Sequence, residues 1–287
     1  MNLCDINDIK FLLAKHGFRF SKSMGQNFLT QSWVPQDIAD EAGLDENTGV
    51  LEVGTGIGCL TYELAKRAGK VVSVELDRSL EPVLHETLGE LDNWELVFGD
   101  IMKTDLEKLV QEHFDGLRPV VCANLPYNIT TPVLTAFLES KCFDSITVMV
   151  QREVALRICA NPGTADYGAF TLLCGWYAEP EFLFEVPADC FIPQPKVCSA
   201  VIRMRKRQAP PCEVKSEELM FRVIRAAFNQ RRKTLVNALS SGISELPKDK
   251  LGELIVECGH DIRVRGEVLS LKQFADLSNK IYDNISR

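Results

Sequence analysis

The chain of 287 residues has no apolar run long enough to cross a membrane as a helix. Its ten cysteines form no Cys-x-x-Cys pair, and its four histidines stand at no metal-ligand spacing. We therefore expect free thiols, no metal centre and no membrane partner. Residues 1–17 place acids ahead of a short apolar patch, which predicts an amphipathic helix rather than a signal peptide and favours a cytoplasmic protein.

Basic residues are also in the minority, with 32 against 40 acidic ones and a net charge of −8. That balance alone argues against a polyanionic partner. However, segments 191–211 and 220–244 each hold five basic residues and no acid. Such segregation is typical of a phosphate-facing surface, although two ordinary solvated faces would give the same pattern. The candidate phosphate-contacting residues are Lys196, Arg222, Arg225, Arg231, Arg232 and Lys233.

Short β-branched apolar runs alternate with segments of helical spacing through the first half of the chain. The runs that predict strands are 50–53, 71–76, 94–100, 120–124 and 146–151. Continuous apolar strands separated by helices indicate a parallel sheet with both faces covered. Two later strand candidates, 181–187 and 198–205, are close enough along the chain to form an antiparallel edge.

The composition changes at a basic, proline-marked linker, residues 206–212. Beyond it the apolar spacing is helical in four segments, 219–229, 231–239, 248–258 and 269–283. We therefore predict an α/β domain with an N-terminal extension over residues 1–207 and a small all-helical domain over residues 208–287.

The first predicted strand runs into three alternating glycines, Gly54, Gly56 and Gly58. This spacing is not the pyrophosphate-binding Gly-x-Gly-x-x-Gly, and a lone glycine turn is often only structural. Glu75 and Asp100 end the next two strands, where either acid alone is an ordinary helix N-cap. Together, at successive carboxyl ends of one sheet, they predict a site for an adenosine-containing ligand. Glu75 would accept the ribose hydroxyls and Asp100 the adenine amino group.

The fourth strand ends in a four-residue box, Asn124-Leu125-Pro126-Tyr127. Asparagine and proline also end strands that have no catalytic role. The box resembles the (N/D)-P-P-(Y/F) box of methyltransferases that modify exocyclic amino groups of bases. That resemblance implies that the Asn124 side-chain oxygen and the Leu125 carbonyl would accept the two N–H groups of such an amine. Pro126 would stiffen the turn and Tyr127 would stack on the base. Phe191, which prolines flank, is the candidate for the other face of the base, and a core phenylalanine of an edge strand is the alternative.

These motifs resemble those of class I S-adenosylmethionine-dependent methyltransferases, whose E/D-x-G-x-G-x-G turn corresponds to Glu52 and the three glycines. That resemblance implies a Rossmann-like seven-stranded sheet whose last strand is antiparallel. The box is similar to that of enzymes that methylate exocyclic amino groups. The order SKSMGQNFL (21–29), glycine turn, NLPYNI, F-x-P-x-P-K-V-x-S (191–199) and AFNQRRKTL (227–235) resembles the KsgA/RsmA family of small-subunit rRNA adenine N6-dimethyltransferases.

The family resemblance implies a cofactor and a substrate. S-adenosyl-L-methionine would be bound by Asn27, Leu29, Gly54, Gly56, Glu75, Asp100 and Asn124. The substrate would be two adjacent adenosines in the 3′-terminal hairpin of 16S rRNA, methylated within the 30S subunit by a monomer. Residues 222–239 would form a basic helix that lies on rRNA phosphates.

Two alternatives remain. An Erm-type enzyme that dimethylates one adenine of 23S rRNA would share QNFL and the box, but the full 191–199 and RRKTL segments favour the small-subunit enzyme. A ribosome-assembly factor could retain the fold without catalysis, but the intact glycine turn, Glu75, Asp100 and the box favour an active enzyme.

Overall fold

A computed structural model describes residues 1–20 and 25–285 of the chain. These residues form two compact units. The first consists of Met1–Ala155 and Glu179–Lys206, and the second of Leu156–Ala178 and the chain from Arg207 onward.

A seven-stranded sheet forms the centre of the first unit, in the order β4-β3-β2-β5-β6-β9-β7. Its strands are β2 (Thr48–Val53), β3 (Lys70–Glu75), β4 (Trp94–Phe98), β5 (Arg118–Asn124), β6 (Ser145–Gln151), β7 (Ala178–Val186) and β9 (Ser199–Lys206). β2 pairs in parallel with β3 and β5, β3 with β4, and β5 with β6. β9 runs antiparallel to β6, so the predicted class I sheet is confirmed.

Helices connect the parallel strands, which is why the central strands are apolar along their whole length. Every residue of β2 is buried. The helices of this unit are α1 (Ile6–Lys15), α2 (Trp33–Glu41), α3 (Cys59–Ala65), α4 (Glu81–Leu88), α5 (Leu106–His113) and α6 (Thr130–Glu139), and α7 (Arg152–Ile158) crosses the division between the units. Asp5 caps α1 and Asp105 caps α5, each by accepting backbone N–H groups of the first turn.

A second, two-stranded sheet joins the GQNFL segment to the F-x-P segment. β1 (Phe28–Leu29) pairs antiparallel with β8 (Phe191–Ile192), so that Leu29 lies opposite Phe191. Both of these side chains are buried in one apolar cluster. Residues 21–24, the first part of the predicted SKSMGQNFL motif, lie outside the described residues.

The second unit is helical and has its own core. Its helices are α8 (Ala169–Tyr177), α9 (Glu217–Asn229), α10 (Leu235–Gly242), α11 (Lys248–Glu257) and α12 (Leu271–Ile285). Apolar residues from all five helices form a single buried cluster. The predicted boundary at residue 207 therefore differs from the structure in one segment, 156–178. That segment joins the helical unit because α8 packs against α9 and α12, where Leu172 and Trp176 are buried.

The predicted helix over residues 231–239 was wrong at its start. α9 ends at Asn229, and α10 begins only at Leu235. Thr234 is extended, and the Leu235 N–H donates to the Val264 carbonyl at 2.6 Å rather than to a preceding turn of helix. The predicted basic helix 222–239 is therefore two helices joined by an exposed basic turn, defined here as Arg231, Arg232 and Lys233.

Within the described residues, no helix is long and apolar enough to span a bilayer. The cysteines are free thiols; five are buried and Cys198 is exposed. No group of three or more His, Cys, Asp or Glu side chains could hold a metal ion in the part of the chain that the structure describes.

Candidate active site

A cavity of about 290 Å³ lies at the carboxyl edge of the parallel strands. Its wall includes residues that end β2, β3 and β5, the residues just after β4, and segment 25–29. The predicted residues that line it are Asn27, Leu29, Gly54, Gly56, Glu75, Asp100, Asn124, Leu125, Pro126 and Tyr127. Ligands of open α/β sheets bind at this edge because neighbouring loops diverge there and leave a crevice. The structure therefore brings ten of the eleven predicted catalytic and cofactor positions together.

The three glycines of the turn serve two different purposes. Gly54 (φ +76°) and Gly56 (φ +58°) line the cavity in left-handed conformations that favour glycine. A Cβ atom on Gly56 would lie 3.3 Å from the Phe28 ring, which is tighter than ordinary contact. On Gly58 a Cβ atom would lie 2.8 Å from the Leu88 side chain, so this glycine allows α3 to pack closely on α4. Gly54 and Gly56 shape the cavity, and Gly58 shapes the fold.

Glu75 is a fixed acceptor on the cavity wall. Its Oε1 accepts the backbone N–H groups of Leu76 and Asp77, both at 2.8 Å, and its Oε2 accepts that of Gly56 at 3.4 Å. Burial raises the pKa of Glu75, although the three N–H donors oppose that rise. The donors also hold the carboxylate in one orientation. Its remaining lone pairs could accept hydroxyl donors from a ligand.

Asp100 lies at the next strand end, beside apolar residues that the sequence analysis missed. Its Oδ1 accepts the Met102 N–H at 3.0 Å, so the side chain also caps a short helical turn. Leu76 and Met102 line the cavity and are 58% and 43% exposed, which is unusual for large apolar side chains. Such side chains beside polar acceptors suit the faces of a planar ring. The available signal was their position, one residue after Glu75 and two residues after Asp100, at the strand ends.

Segment 25–29 closes one side of the cavity and is tied to the β3 end. Gln26 Nε2 donates to Asp77 Oδ2 at 2.6 Å, and Asp77 is itself held by the Ser79 N–H and hydroxyl. The Asn27 side chain donates to the Gly25 carbonyl at 3.0 Å. Asn27 lines the cavity, and this bond does not use its side-chain oxygen.

Hydrogen bonds within its own turn and to two strands of the sheet hold the box in place. The Leu125 N–H donates to the Met149 carbonyl of β6 at 3.1 Å, and the Ile129 N–H donates to the Pro126 carbonyl at 3.2 Å. A further hydrogen bond of 2.6 Å joins the Tyr127 hydroxyl to the Ser199 hydroxyl at the start of β9. Tyr127 is half-buried, and burial raises the pKa of its hydroxyl. The backbone and the aromatic ring of the box therefore both have defined positions.

Asn124 lines the cavity and is half-buried. Its backbone oxygen lies 3.9 Å from the position that a Cβ atom on Gly54 would take, and its residue lines the same cavity as Gly54 and Glu75. Its side-chain amide makes no hydrogen bond to any residue that the structure describes. Polar groups at such depth are normally paired. An amide that has no partner among the described residues can therefore pair with a ligand.

Glu52 is the most deeply buried acid near the cavity, with 1% of its surface exposed. Its Oε2 accepts the Thr61 hydroxyl at 2.7 Å and the Ser73 hydroxyl at 2.6 Å. Burial nevertheless raises the pKa of Glu52 to about 8. At neutral pH the side chain is therefore largely protonated, and it links β2 to α3 and β3.

Residues 17–281 match the family model described as ribosomal RNA adenine dimethylase. The chain belongs to this family. It is 44% identical over 273 residues to the ribosomal RNA small subunit methyltransferase A of Alkaliphilus metalliredigens, with 95% of each chain covered. It is 46% identical over 279 residues to the protein of that name from Bacillus cytotoxicus, with 96% of each chain covered.

Solved structures of the same fold agree with the family assignment. A dimethyladenosine transferase from Plasmodium falciparum has a TM-score of 0.76 at 22% identity, covering 90% of this chain and 98% of that chain, which shows the fold. The 23S rRNA methyltransferase ErmE has a TM-score of 0.69 at 27% identity, covering 89% of this chain and 99% of that chain. Both likenesses extend over the α/β and the helical parts of the chain.

The adenine dimethylase family uses S-adenosylmethionine, and the cavity residues fit that molecule. When bound, S-adenosylmethionine supplies a methyl group activated by a positively charged sulfur. Gly54 and Gly56 leave the turn free of side chains, Glu75 offers an oriented carboxylate, and Asn124 offers an unpaired amide. Carboxylates and apolar surface in one cavity suit a cationic adenosine compound.

Phe191 is the predicted site residue that does not reach the cavity. It is 4% exposed and belongs to a buried apolar cluster that also contains Leu29 and Val186. In this arrangement it offers no open face to a base, which agrees with the core alternative considered above. A pattern of prolines around an aromatic residue could not distinguish the two because the β1 partner lies far away in sequence.

The predicted RNA-contacting residues differ in their availability. Arg222 pairs with Glu245 at 2.5 Å, and Arg231 lies 3.6 Å from Glu267 and donates to the Ala165 carbonyl at 2.9 Å. The remaining four, Lys196, Arg225, Arg232 and Lys233, are exposed and have no ion-pair partner among the described residues. Arg232 and Lys233 are therefore the part of the basic turn whose charge no described residue neutralises.

Proposed function

We propose that this family member dimethylates N6 of two adjacent adenosines in the 3′-terminal hairpin of 16S rRNA, using S-adenosylmethionine. The observation that carries the proposal is the unpaired amide of Asn124 on the wall of the cavity that Gly54 and Glu75 also line. The two curated relatives that cover nearly the whole chain are small-subunit enzymes by name. The protein would act in the cytoplasm, as a monomer, on the 30S subunit.

The chemical problem is the low nucleophilicity of the adenine amine, whose lone pair is delocalised into the ring. The Asn124 side-chain oxygen and the Leu125 carbonyl would accept its two N–H groups and favour a tetrahedral nitrogen. Fixed acceptors of this kind stabilise the positive charge that develops on nitrogen, because they need not reorient during the reaction. The backbone bond from Leu125 to Met149 keeps the second acceptor in place.

The transfer itself is an in-line displacement. S-adenosylmethionine, when bound, would supply its methyl group to the N6 lone pair and leave with the electrons of the former C–S bond, while Asn124 and Leu125 would hold the amine and one N6 proton would pass to solvent. Such a step depends mainly on alignment of the reacting atoms, since no protein nucleophile is required. Tyr127 would align the base by stacking on its face after the base leaves the RNA helix.

The second unit supports the proposal through its charge. Exposed Arg225, Arg232 and Lys233 would contact rRNA phosphates and release counterions on binding. This contact would give affinity for the substrate without base specificity. The selection of two adenosines would then belong to the cavity and the box.

The direct test is incubation of the protein with labelled S-adenosylmethionine and either unmethylated 30S or unmethylated 50S subunits, followed by mapping of the labelled nucleotides. We expect label at two neighbouring adenosines of 16S rRNA, recovered as N6,N6-dimethyladenosine. Label confined to one adenosine of 23S rRNA would establish the Erm-type alternative instead, which the 27% identity to ErmE keeps open.

The non-catalytic alternative is tested with the same particles. An assembly factor would bind 30S subunits without label transfer. Binding of the wild-type protein to 30S without any methylation, at saturating S-adenosylmethionine, would therefore overturn the enzymatic proposal.

A further inference from the structure

Ser199 begins the antiparallel strand β9 and lies near the box, at the same edge of the sheet. β5 and β6 are parallel and end at the carboxyl edge, where the cavity lies, whereas β9 runs in the opposite direction and begins at that edge. Ser199 is the first residue of β9 and pairs with Gln151, the last residue of β6. The reversed strand therefore brings the start of β9 beside the end of β5, about 9 to 10 Å away across two strand spacings.

Tyr127 spans that distance and meets Ser199 in a hydrogen bond of 2.6 Å, in which either hydroxyl can donate. Ser199 is fully buried, and its backbone is fixed in the sheet, so its hydroxyl cannot follow a moving ring. Neither hydroxyl has another hydrogen-bond partner among the described residues. Burial raises the pKa of the Tyr127 hydroxyl, which therefore remains protonated at neutral pH.

We propose that Ser199 is a positioning residue that fixes the direction of the long axis of the Tyr127 ring, and with it the place of the stacking surface for the adenine, and that the second methyl transfer depends on it most. This inference rests on the proposed function. A ring anchored at both its Cβ atom and its hydroxyl cannot swing about Cβ, because both atoms lie on its long axis and only rotation about that axis remains. The base that stacks on it then stays at one place relative to Asn124.

The two transfers differ in how much they depend on this restraint. Unmodified adenine has two N–H groups and can engage both acceptors of the box. Monomethylated adenine has only one N–H group, so it loses one of these contacts. Its orientation then depends more on the stacking surface, and a mobile ring slows the second transfer more than the first.

The test compares Ser199→Ala, Tyr127→Phe and the double variant with the wild type on unmethylated 30S subunits. The amounts of N6-methyladenosine and N6,N6-dimethyladenosine are measured over time. We expect each single variant to slow the second transfer roughly tenfold, the factor for a neutral hydrogen bond near the upper end of its usual range. N6-methyladenosine should accumulate in both. The double variant should be no slower than either single variant, because both remove the same bond.

Thr147→Val is the matched control. Thr147 is a fully buried hydroxyl of β6, paired with Arg203 of β9, and its oxygen has no hydrogen-bond partner among the described residues. Its replacement should leave the product ratio unchanged. Dissociation constants for S-adenosylhomocysteine should also be unchanged in every variant, because the bond lies on the base side of the cavity.

Wild-type product ratios in Tyr127→Phe would overturn the inference, and this variant keeps the test valid even if Ser199→Ala does not fold. Independent, additive losses in the two single variants would also overturn it. Absence of any dimethyladenosine with the wild-type protein would instead refute the proposed function, so the two failures are distinguishable.

Discussion

The carboxyl-edge cavity and the basic turn carry charge in opposite ways. In the cavity, Glu75 is buried, and three backbone N–H donors fix its carboxylate. In the basic turn, Arg232 and Lys233 are exposed and unpaired among the described residues. Buried charge is removed from water and therefore requires specific partners, whereas exposed charge keeps its hydration and acts through a screened field.

Similar substitutions should therefore have different effects in the cavity and in the basic turn. In the cavity, a change should affect one step or one ligand strongly, with little dependence on salt. In the basic turn, it should affect binding of a polyanion moderately, with strong dependence on salt.

Glu52 should make stability depend on pH more than any exposed acid does. Because burial raises the pKa of Glu52 to about 8 from its ordinary 4.5, the folded state retains a proton that the unfolded state loses between these values. Its stabilising contribution is full below about pH 4.5 and is lost as pH rises to about 8, by up to about 1.4 kcal/mol per pH unit. Glu52→Gln should flatten this decline in denaturant unfolding measured from pH 5 to pH 8. A slope equal to that of the wild type would contradict the buried, protonated assignment.

Asn124→Ala should have the largest effect on catalysis. Loss of one preorganised acceptor should lower kcat by about 100-fold or more, by analogy with removal of one group that stabilises developing charge. Affinity for 30S subunits should not change, since Asn124 is remote from exposed basic residues in sequence and lies on the cavity wall. Filter binding and labelled methyl transfer measure the two quantities. Unchanged turnover would remove Asn124 from the mechanism.

Glu75→Ala should weaken the binding of S-adenosylhomocysteine by roughly tenfold to 100-fold, because hydrogen bonds to a charged group contribute about 1.5 to 3 kcal/mol. Calorimetric titration measures this change directly. Glu81→Ala, an exposed acid in the first turn of α4, is the control and should bind normally. Equal loss in both variants would point to a general charge effect rather than to an oriented acceptor.

Charge reversal of Arg232 and Lys233 should weaken binding to 30S subunits by several-fold and reduce its salt dependence, by about one unit of slope per lost phosphate contact. Affinity for S-adenosylhomocysteine should be spared. Arg263→Glu is the control, because Arg263 is exposed in the same unit but already pairs with Asp261 at 3.3 Å. A matching loss of cofactor affinity in the Arg232 and Lys233 variant would show that the two regions do not act separately.

Local patterns were sufficient for most of the fold and for the cavity. The strands from 50 to 151 and the glycine turn follow from apolar runs and from residues adjacent in sequence. Glu75, Asp100 and Asn124 could be placed at one edge because parallel strands of a single sheet end on the same side. The roles predicted for these residues remain predictions, although the structure brings them to one cavity.

The structure differs from the predictions where a residue or helix contacts a segment that is distant in sequence. Phe191 is buried because β8 pairs with β1, more than a hundred residues earlier in the chain. The predicted basic helix is interrupted because the Leu235 N–H bonds to Val264. Segment 156–178 joins the helical unit because α8 packs with α9 and α12. Each of these partners is too distant in sequence to affect the local hydrophobic pattern from which helices and strands are predicted.

The order of residues alone determined that this chain has a parallel sheet, a glycine turn, acceptors at three successive strand ends and a separate concentration of positive charge, because these are properties of neighbouring residues. Folding alone decided that Ser199 meets Tyr127, that Phe191 is withdrawn into the core, and that Glu52 keeps its proton near neutral pH. Contacts across the sheet and the exclusion of water arise only when distant segments pack together.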